Sequence, residues 1–142
     1  MKNKFSQSVF RDEDNNILLF KVSSKPDVEI TAPIYRSEHD EPLAVDILAS
    51  IPDLWNYNII AELRRHNANL TVEYRQLVKL KWKHLIDNKP IHKAMAIVCP
   101  NAMMIESFEG VIKESQAVHA MVFSDFDEAL DWIKACRETL LN

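Results

Sequence analysis

The chain has a single glycine among its 142 residues, and this scarcity excludes two common kinds of nucleotide site. The glycine-rich loops of dinucleotide-binding and P-loop proteins need several glycines where the backbone approaches phosphate. One glycine cannot supply either loop. The sequence therefore excludes classical dinucleotide and P-loop nucleotide binding, and we expect the protein to work without a cofactor.

Cysteine is also scarce, with only Cys99 and Cys136 present. Two widely separated cysteines are more often buried thiols than a disulfide or a metal pair. The first residues lack the apolar core of a secretory signal. The longest apolar runs are a few residues, well short of the about 20 that a membrane span needs. We therefore expect a cytoplasmic protein with no membrane-spanning segment.

The bulk composition is that of one folded domain. Hydrophobic residues make up 47% of the chain and charged residues 27%, which is enough apolar material for a core. A length of 142 residues predicts a single domain over residues 1–142. The formal net charge of −4 does not indicate a general affinity for nucleic acids or membranes.

Apolar extended runs alternate with amphipathic runs along the chain. The predicted strands lie at 8–11, 17–22, 57–63, 91–99 and 117–123, and the predicted helices at 42–51, 71–86, 102–115 and 124–140. Strands joined through a crossover helix must be parallel, and such crossovers are right-handed. The sequence therefore predicts an α/β domain with a mixed sheet of about five strands and about four helices. Its N-terminal hairpin is antiparallel and its C-terminal half is parallel.

The predicted helix 71–86 carries one residue that an apolar face does not explain. At 100° per residue its apolar face is predicted to contain Tyr74, Leu77, Val78 and Leu85, with Trp82 at the flank. Lys81 falls in the middle of this face. Its stem can pack while its ammonium reaches the edge, or the lysine can lie under a ligand or partner surface. Both interpretations stay open from the sequence.

Polar residues follow the predicted strands at the edge where ligands bind in open α/β sheets. The residues concerned are Arg64, Arg65, Asn67, Thr71, Asn101 and Ser124. Helix N-termini offer free N–H groups to anions, and arginine suits the same ligands. We predict that these residues, with Lys81, form an anion or partner site. In the alternative, the arginines are solvated and the polar residues only cap helices, as Ser124 would in a capping box with Asp127.

Charge is unevenly distributed along the chain. Residues 62–93 hold eight Lys and Arg against three Asp and Glu, whereas residues 103–142 hold eight Asp and Glu against three Lys and Arg. This asymmetry could steer an acidic protein partner or a second copy of the chain. No recognition motif for nucleic acid accompanies the basic helix, which disfavours that class of partner.

Candidates for catalysis or metal binding are few. The five histidines form no HxxxH or HExxH pair, and the acidic segments 12–16 and 38–41 are better interpreted as solvated loops. Cys99 is the one credible nucleophile, because a helix N-terminus lowers thiol pKa. Pro100 directly after it removes the nearest N–H donor. We predict no catalytic and no metal-binding residue.

Two short stretches resemble a known family. They are Ile59–Arg64, whose Glu62 replaces the family's usual Asp, and Val122–Ile133, with its Phe, acidic helix start and Ala-Leu-x-Trp pattern. Together with the element order, they resemble the bacterial STAS-like (SpoIIAA-like) domains shared by sulfate transporters and anti-sigma-factor antagonists. The resemblance implies a STAS-like fold and a role in protein interaction.

The chain departs from that family where its signalling chemistry would lie. Antagonist domains carry a phosphorylatable Ser in an Asp-Ser-(Ser/Ala)-Gly turn, whereas residues 67–71 contain neither Ser nor Gly. Thr71 is the only hydroxyl there, and we expect it to be a helix cap. We predict a non-enzymatic interaction or regulatory module that binds an unknown protein partner or forms a homodimer. The alternatives are a binder of a small anion or of a lipid-like ligand beneath helix 102–115, and last a cysteine-dependent enzyme.

Overall fold

The fold is taken from a computed structural model that describes residues 5–24, 44–63, 72–99, 102–115 and 117–140. The strands are β1 Phe5–Asp12, β2 Ile17–Ser24, β3 Asn58–Leu63, β4 Met95–Val98 and β5 Ala120–Phe123. The helices are α1 Ala44–Ala49, α2 Val72–Asp87, α3 Ala102–Ser115 and α4 Phe126–Leu140, with a short 3₁₀ turn at Leu54–Asn56. The predicted α/β class is confirmed.

The five strands form one sheet in which spatial order follows chain order, β1-β2-β3-β4-β5. Strands β1 and β2 are antiparallel, and β2, β3, β4 and β5 are parallel to one another. The mixed sheet predicted from the sequence is therefore present, with its antiparallel hairpin and parallel remainder. The carboxyl ends of β3, β4 and β5 meet at one edge.

The hairpin turn has an asparagine at a position where glycine is common. Asn16 has a φ of 58°, a left-handed conformation that asparagine tolerates better than most residues. Asp12 supports the turn, because its Oδ1 accepts a hydrogen bond from the Asn15 N–H at 3.2 Å. A chain with little glycine thus uses short polar side chains to turn tightly.

Helices α1, α2 and α3 cover one face of the sheet, and we call this the three-helix layer. Its core consists largely of big apolar side chains, including Leu18, Phe20, Leu48, Ile59, Trp82, Ile86, Ile97 and Phe108. The rings of Trp82 and Phe108 meet edge to face with centroids 5.2 Å apart, which joins α2 to α3. This layer supplies most of the buried apolar surface.

Of the helices in the described ranges, only α4 packs on the opposite face, which we call the one-helix layer. Its core is smaller and includes Ile17, Ile60, Ala94, Ala96, Val98, Ala129 and Ile133. The three alanines keep side chains short between helix and sheet. Phe123, the last residue of β5, packs against Trp132 in the middle of α4, with ring centroids 5.6 Å apart.

The predicted apolar face of α2 is confirmed in part, since Leu85 is buried and Val78 packs against the core, but it is wrong at Leu77 and Lys81. Trp82, Leu85 and Ile86 are buried, whereas Leu77 is exposed and Lys81 lies at the flank of the buried face. The reason is that Trp82 packs against α3, which turns the buried face away from Leu77. Apolar residues occur on all sides of α2, so their spacing in the sequence does not define a single apolar face.

Two predicted strands were too long. Strand β4 begins at Met95 and not at residue 91, because Pro90 and Lys93 form a turn in which the Lys93 N–H donates to the Pro90 carbonyl at 3.1 Å. Strand β5 begins at Ala120 and not at residue 117. The residue before it, His119, has a φ of 60°, which interrupts extended backbone.

Candidate functional site

The carboxyl edge of the parallel strands was the predicted ligand site, and most of its residues lie outside the described part of the chain. These are Arg64, Arg65, Asn67, Thr71 and Asn101. Strand β3 ends at Leu63, and the register places Val98 of β4 beside Phe123 of β5. The topology thus brings three strand ends to the edge from which the predicted site was argued. Of the predicted site residues, only Lys81 and Ser124 can be placed.

Ser124 is exposed at this edge but does not cap the helix that follows. The cap is Asp125, whose Oδ2 accepts a hydrogen bond from the Glu128 N–H at 3.0 Å. The predicted capping box at Ser124 and Asp127 was therefore wrong by one position. A carboxylate at the cap also stabilises the positive end of the helix dipole, which a serine hydroxyl does less well.

Cys99, directly after β4, is a buried thiol. Only 1% of the residue is exposed, and its N–H donates to the Phe123 carbonyl at 3.0 Å. Burial raises the pKa of this thiol to about 11. Because the thiolate is the nucleophile, a thiol that stays protonated near neutral pH is poorly suited to attack a substrate.

A buried carboxylate lies close to the same edge. Glu62 is 2% exposed on β3, and its carboxylate lies 3.8 Å from the ammonium of Lys21 on β2. The register of the parallel pair places these two residues side by side. Sequence reasoning noted Glu62 only as a family substitution. The sequence does indicate Glu62, because it is the one charged residue in a largely apolar strand. Its partner Lys21 is identified only by the strand register.

Lys81 has an ion-pair partner in the neighbouring helix. Its ammonium lies 3.2 Å from Asp46 Oδ1 on α1. Both side chains are substantially exposed, so the pair contributes little to stability, about 0–1 kcal/mol. The pair joins α1 to α2 at the flank of the three-helix layer. It also accounts for a lysine that the apolar face alone did not explain.

The outer side of α2 exposes apolar side chains among cations. Leu77 is 44% exposed and Leu80 is 64% exposed. Lys79 and Lys83 lie on the same helix, and Lys83 pairs with Asp87 at 2.9 Å one turn away. We call the four residues Leu77, Lys79, Leu80 and Lys83 the α2 surface. Leucine would ordinarily occupy the core, so two exposed leucines on one helix mark a candidate interaction surface.

A groove runs beside the α2 surface, between α2 and α3. Its volume is about 250 Å³, and it opens to solvent. The lining residues are Gln76, Lys79, Leu80 and Lys83 of α2 with Val111 and Glu114 of α3. Val111 is buried in the core cluster, and it gives the groove an apolar base. The groove was not predicted, because it depends on how two helices pack.

A second polar cluster lies at the hairpin end of the sheet. Arg11 donates two hydrogen bonds to the carboxylate of Asp53, at 2.9 and 2.8 Å, and the Tyr57 hydroxyl donates to Glu13 at 2.7 Å. The hydrogen bond to Asp53 raises the pKa of Arg11, and its partner bond lowers the pKa of Asp53. These pairs satisfy one another, so the cluster joins the hairpin to the start of β3.

Metal binding and membrane insertion find no support in the described segments. Their His, Cys, Asp and Glu side chains form no group of three or more that could hold a metal ion. None of the helices in those segments combines the length and the apolar composition needed to cross a bilayer.

Comparisons with known proteins identified no relative of this chain. The chain matched no protein-family model, no curated protein and no solved structure. The geometry above is therefore the basis for any functional conclusion.

Proposed function

We propose that this chain is a STAS-like interaction module that binds a protein partner through the α2 surface, and that it is not an enzyme. The observation that carries the proposal is the exposure of Leu77 and Leu80, at 44% and 64%, on a helix whose Lys79 and Lys83 line one groove together with Leu80. Protein interfaces combine such apolar residues with a polar rim. The described element order, a hairpin, a short helix and three strand–helix units, supports the STAS-like part of the proposal.

The chemistry of the remaining candidates supports a binding role over catalysis. The thiol of Cys99 is buried with a raised pKa, and the polar pairs at the hairpin end satisfy each other. We also propose a cytoplasmic location. Its support is that Cys99 and Cys136 are both free thiols, which is typical of reducing compartments.

The proposal can be tested by site-specific photo-crosslinking. Leu80 is replaced by a photoreactive phenylalanine derivative, and the chain is expressed in its native host and irradiated. We expect a discrete covalent adduct with another protein. The matched control carries the same derivative at Asp131, an exposed position of α4 on the opposite face of the sheet. An adduct with a second copy of the chain would identify self-association, and equal labelling from both positions would contradict a partner at the α2 surface.

A second candidate function is recognition of a small anion at the carboxyl edge. Its support is the parallel register, by which β3, β4 and β5 end together just before the polar residues predicted to bind. We expect phosphate to raise the melting temperature of the chain, and Arg64→Ala with Arg65→Ala to abolish that rise. Sodium chloride at equal ionic strength is the control, since it screens charge without offering a tetrahedral oxyanion. An equal rise with chloride would refute the anion site.

A further inference from the structure

We infer that the groove between α2 and α3 takes an acidic protein segment that carries an apolar anchor residue. This inference rests on the proposed function and specifies the chemistry of the partner. The groove offers an apolar base in Val111, an exposed leucine in Leu80 at its rim, and lysines on the α2 side. The shape and charge of the groove each restrict what can bind there.

The shape favours a side chain over a small-molecule cofactor. Clefts that enclose whole small molecules are usually larger than about 300 Å³ and largely enclosed. The groove has a volume of about 250 Å³ and is open to solvent. It can therefore receive one apolar side chain of a partner whose backbone stays outside. Anchors of this kind are the usual hot spots of protein interfaces.

The charge favours an acidic partner. In the described part of the chain, Lys81 is paired with Asp46 and Lys83 with Asp87, whereas the Lys79 ammonium has no carboxylate partner. Glu114 is the one carboxylate among the lining residues. A carboxylate of an acidic segment could pair with Lys79 directly. At Lys83 it would compete with Asp87, which already pairs with that lysine. Such complementarity directs encounter and discriminates between partners.

Other occupants fit less well. An anionic membrane is recognised by clusters of about four to eight cations, and the groove presents two lysines with one glutamate. A second copy could offer its acidic α4, but α4 lies on the opposite face of the sheet from the groove. That contact would be head to tail, and contacts of this kind form rings or open chains rather than closed pairs.

The test measures binding of two designed peptides to the full chain by fluorescence anisotropy. Each peptide has about 18 residues, longer than the about 12–15 below which isolated helices are marginal. One carries leucines at helical spacing among glutamates, and the other has every glutamate replaced by lysine. We expect the acidic peptide to bind at least about tenfold more tightly, and its affinity to fall as salt is added.

Variants locate the binding. Lys79→Glu should weaken the acidic peptide about three- to tenfold, because it replaces an attraction by a repulsion at a surface site. Leu80→Ser should weaken both peptides about fivefold or more, because it removes the apolar rim. The matched control is Lys134→Glu on α4, an exposed charge reversal away from the groove, for which we expect less than about a twofold change. Circular dichroism checks that each variant is folded.

The outcomes separate this inference from the proposed function. A partner that crosslinks at position 80 while both peptides bind equally, or neither binds, would overturn the acidic chemistry and leave the interaction module standing. Absence of any crosslink at position 80 would instead overturn the module itself. Concentration-dependent self-association in sedimentation, lost in Lys79→Glu, would assign the groove to a second copy and overturn the inference. Preference for the acidic peptide, lost in Lys79→Glu and kept in Lys134→Glu, supports it.

Discussion

The two faces of the sheet are covered by layers that hold different kinds of side chain. The three-helix layer buries large apolar groups such as Phe20 and Trp82. The one-helix layer is packed with alanine and isoleucine, and by alternation with Ile60 the buried Asn58 and Glu62 of β3 point toward it. Burial of apolar side chains stabilises the first layer, but it is not directional and tolerates other apolar side chains of similar volume. Buried polar groups give the second layer directional bonds that fix its strand ends and turns.

The outer sides of the layers differ as well. The α2 surface combines leucines with lysines, whereas the exposed residues of α4 include Asp127, Glu128 and Asp131. Helices α2 and α4 thus present surfaces of different composition on opposite sides of the sheet. The four experiments below test the contrast between the layers, in order of expected effect.

The largest effect should come from Phe20→Ala in the three-helix layer. Phe20 is fully buried on β2, and removing a buried phenyl ring costs about 3–5 kcal/mol of unfolding free energy. The control is Leu19→Ala, the adjacent residue, which faces the one-helix layer and is only partly buried. Urea unfolding measures both variants. A loss for Leu19→Ala as large as that for Phe20→Ala would contradict the contrast between the layers.

The next effect concerns alkaline pH and the thiol of Cys99 in the three-helix layer. Its folded pKa of about 11 exceeds the ordinary 9.0, so the folded chain holds this proton more tightly than the unfolded chain. This contribution is complete below pH 9 and is lost as pH rises toward 11. We expect the unfolding free energy to fall by about 2 kcal/mol from this group between pH 8 and 10.5.

The comparison for that experiment is the chain with Cys99→Ala. The substitution itself lowers stability by a constant amount, but it should remove most of the additional alkaline loss. Unfolding is followed in urea at both pH values. Equal pH dependence in the two proteins would show that Cys99 titrates normally in the folded state.

A smaller effect is expected from Asn58→Ala in the one-helix layer. The Asn58 Oδ1 accepts a hydrogen bond from the Ala94 N–H at 2.8 Å, next to the start of β4. Losing that acceptor leaves a buried N–H unpaired, at a cost of about 1–3 kcal/mol. Asn56→Ala, at an exposed asparagine just before β3, should change stability by less than about 0.5 kcal/mol. Hydrogen exchange of the Ala94 amide should increase only in the first variant.

The smallest effect should follow from Lys81→Met, which breaks the pair with Asp46 at the flank of α2. We expect at most about 1 kcal/mol of lost stability, and less at high salt, because both side chains are exposed. Thermal unfolding in the presence and absence of phosphate measures both stability and anion binding. A lost phosphate response would add Lys81 to an anion site, and an unchanged response would leave it as a link between helices.

The sequence predicted β4 well because this strand is apolar on both faces. Met95–Val98 is fully buried between two layers of helices, as its continuous apolar run indicated. Helix 102–115 was likewise predicted from its pattern, and its Phe108 and Val111 are buried at helical spacing. These predictions depended on local pattern, which a single sequence contains.

Other features depended on contacts distant in sequence, and the sequence could not supply them. The pairing of Lys21 with Glu62 follows from strand register across 41 positions. Lys89 is buried because its ammonium donates to the carbonyls of Pro90, at 3.0 Å, and Lys93, at 2.5 Å. The sequence alone does not show that a lysine will donate hydrogen bonds to the backbone carbonyls of the loop that follows it. The groove beside Leu80 likewise arises only when α2 and α3 pack.

The order of the strands in the sheet has a consequence for how the protein folds during synthesis. Each strand pairs with the one made just before it, so every new strand–helix unit finds its template already formed. The helix α4 is made after all five strands, and until it docks, the face formed by Ile60 and Ala96 stays open to water. At this stage the nascent chain has its three-helix layer in place and exposes an apolar sheet face that can bind other apolar surfaces. We expect a chaperone that binds the nascent chain to do so before α4 docks.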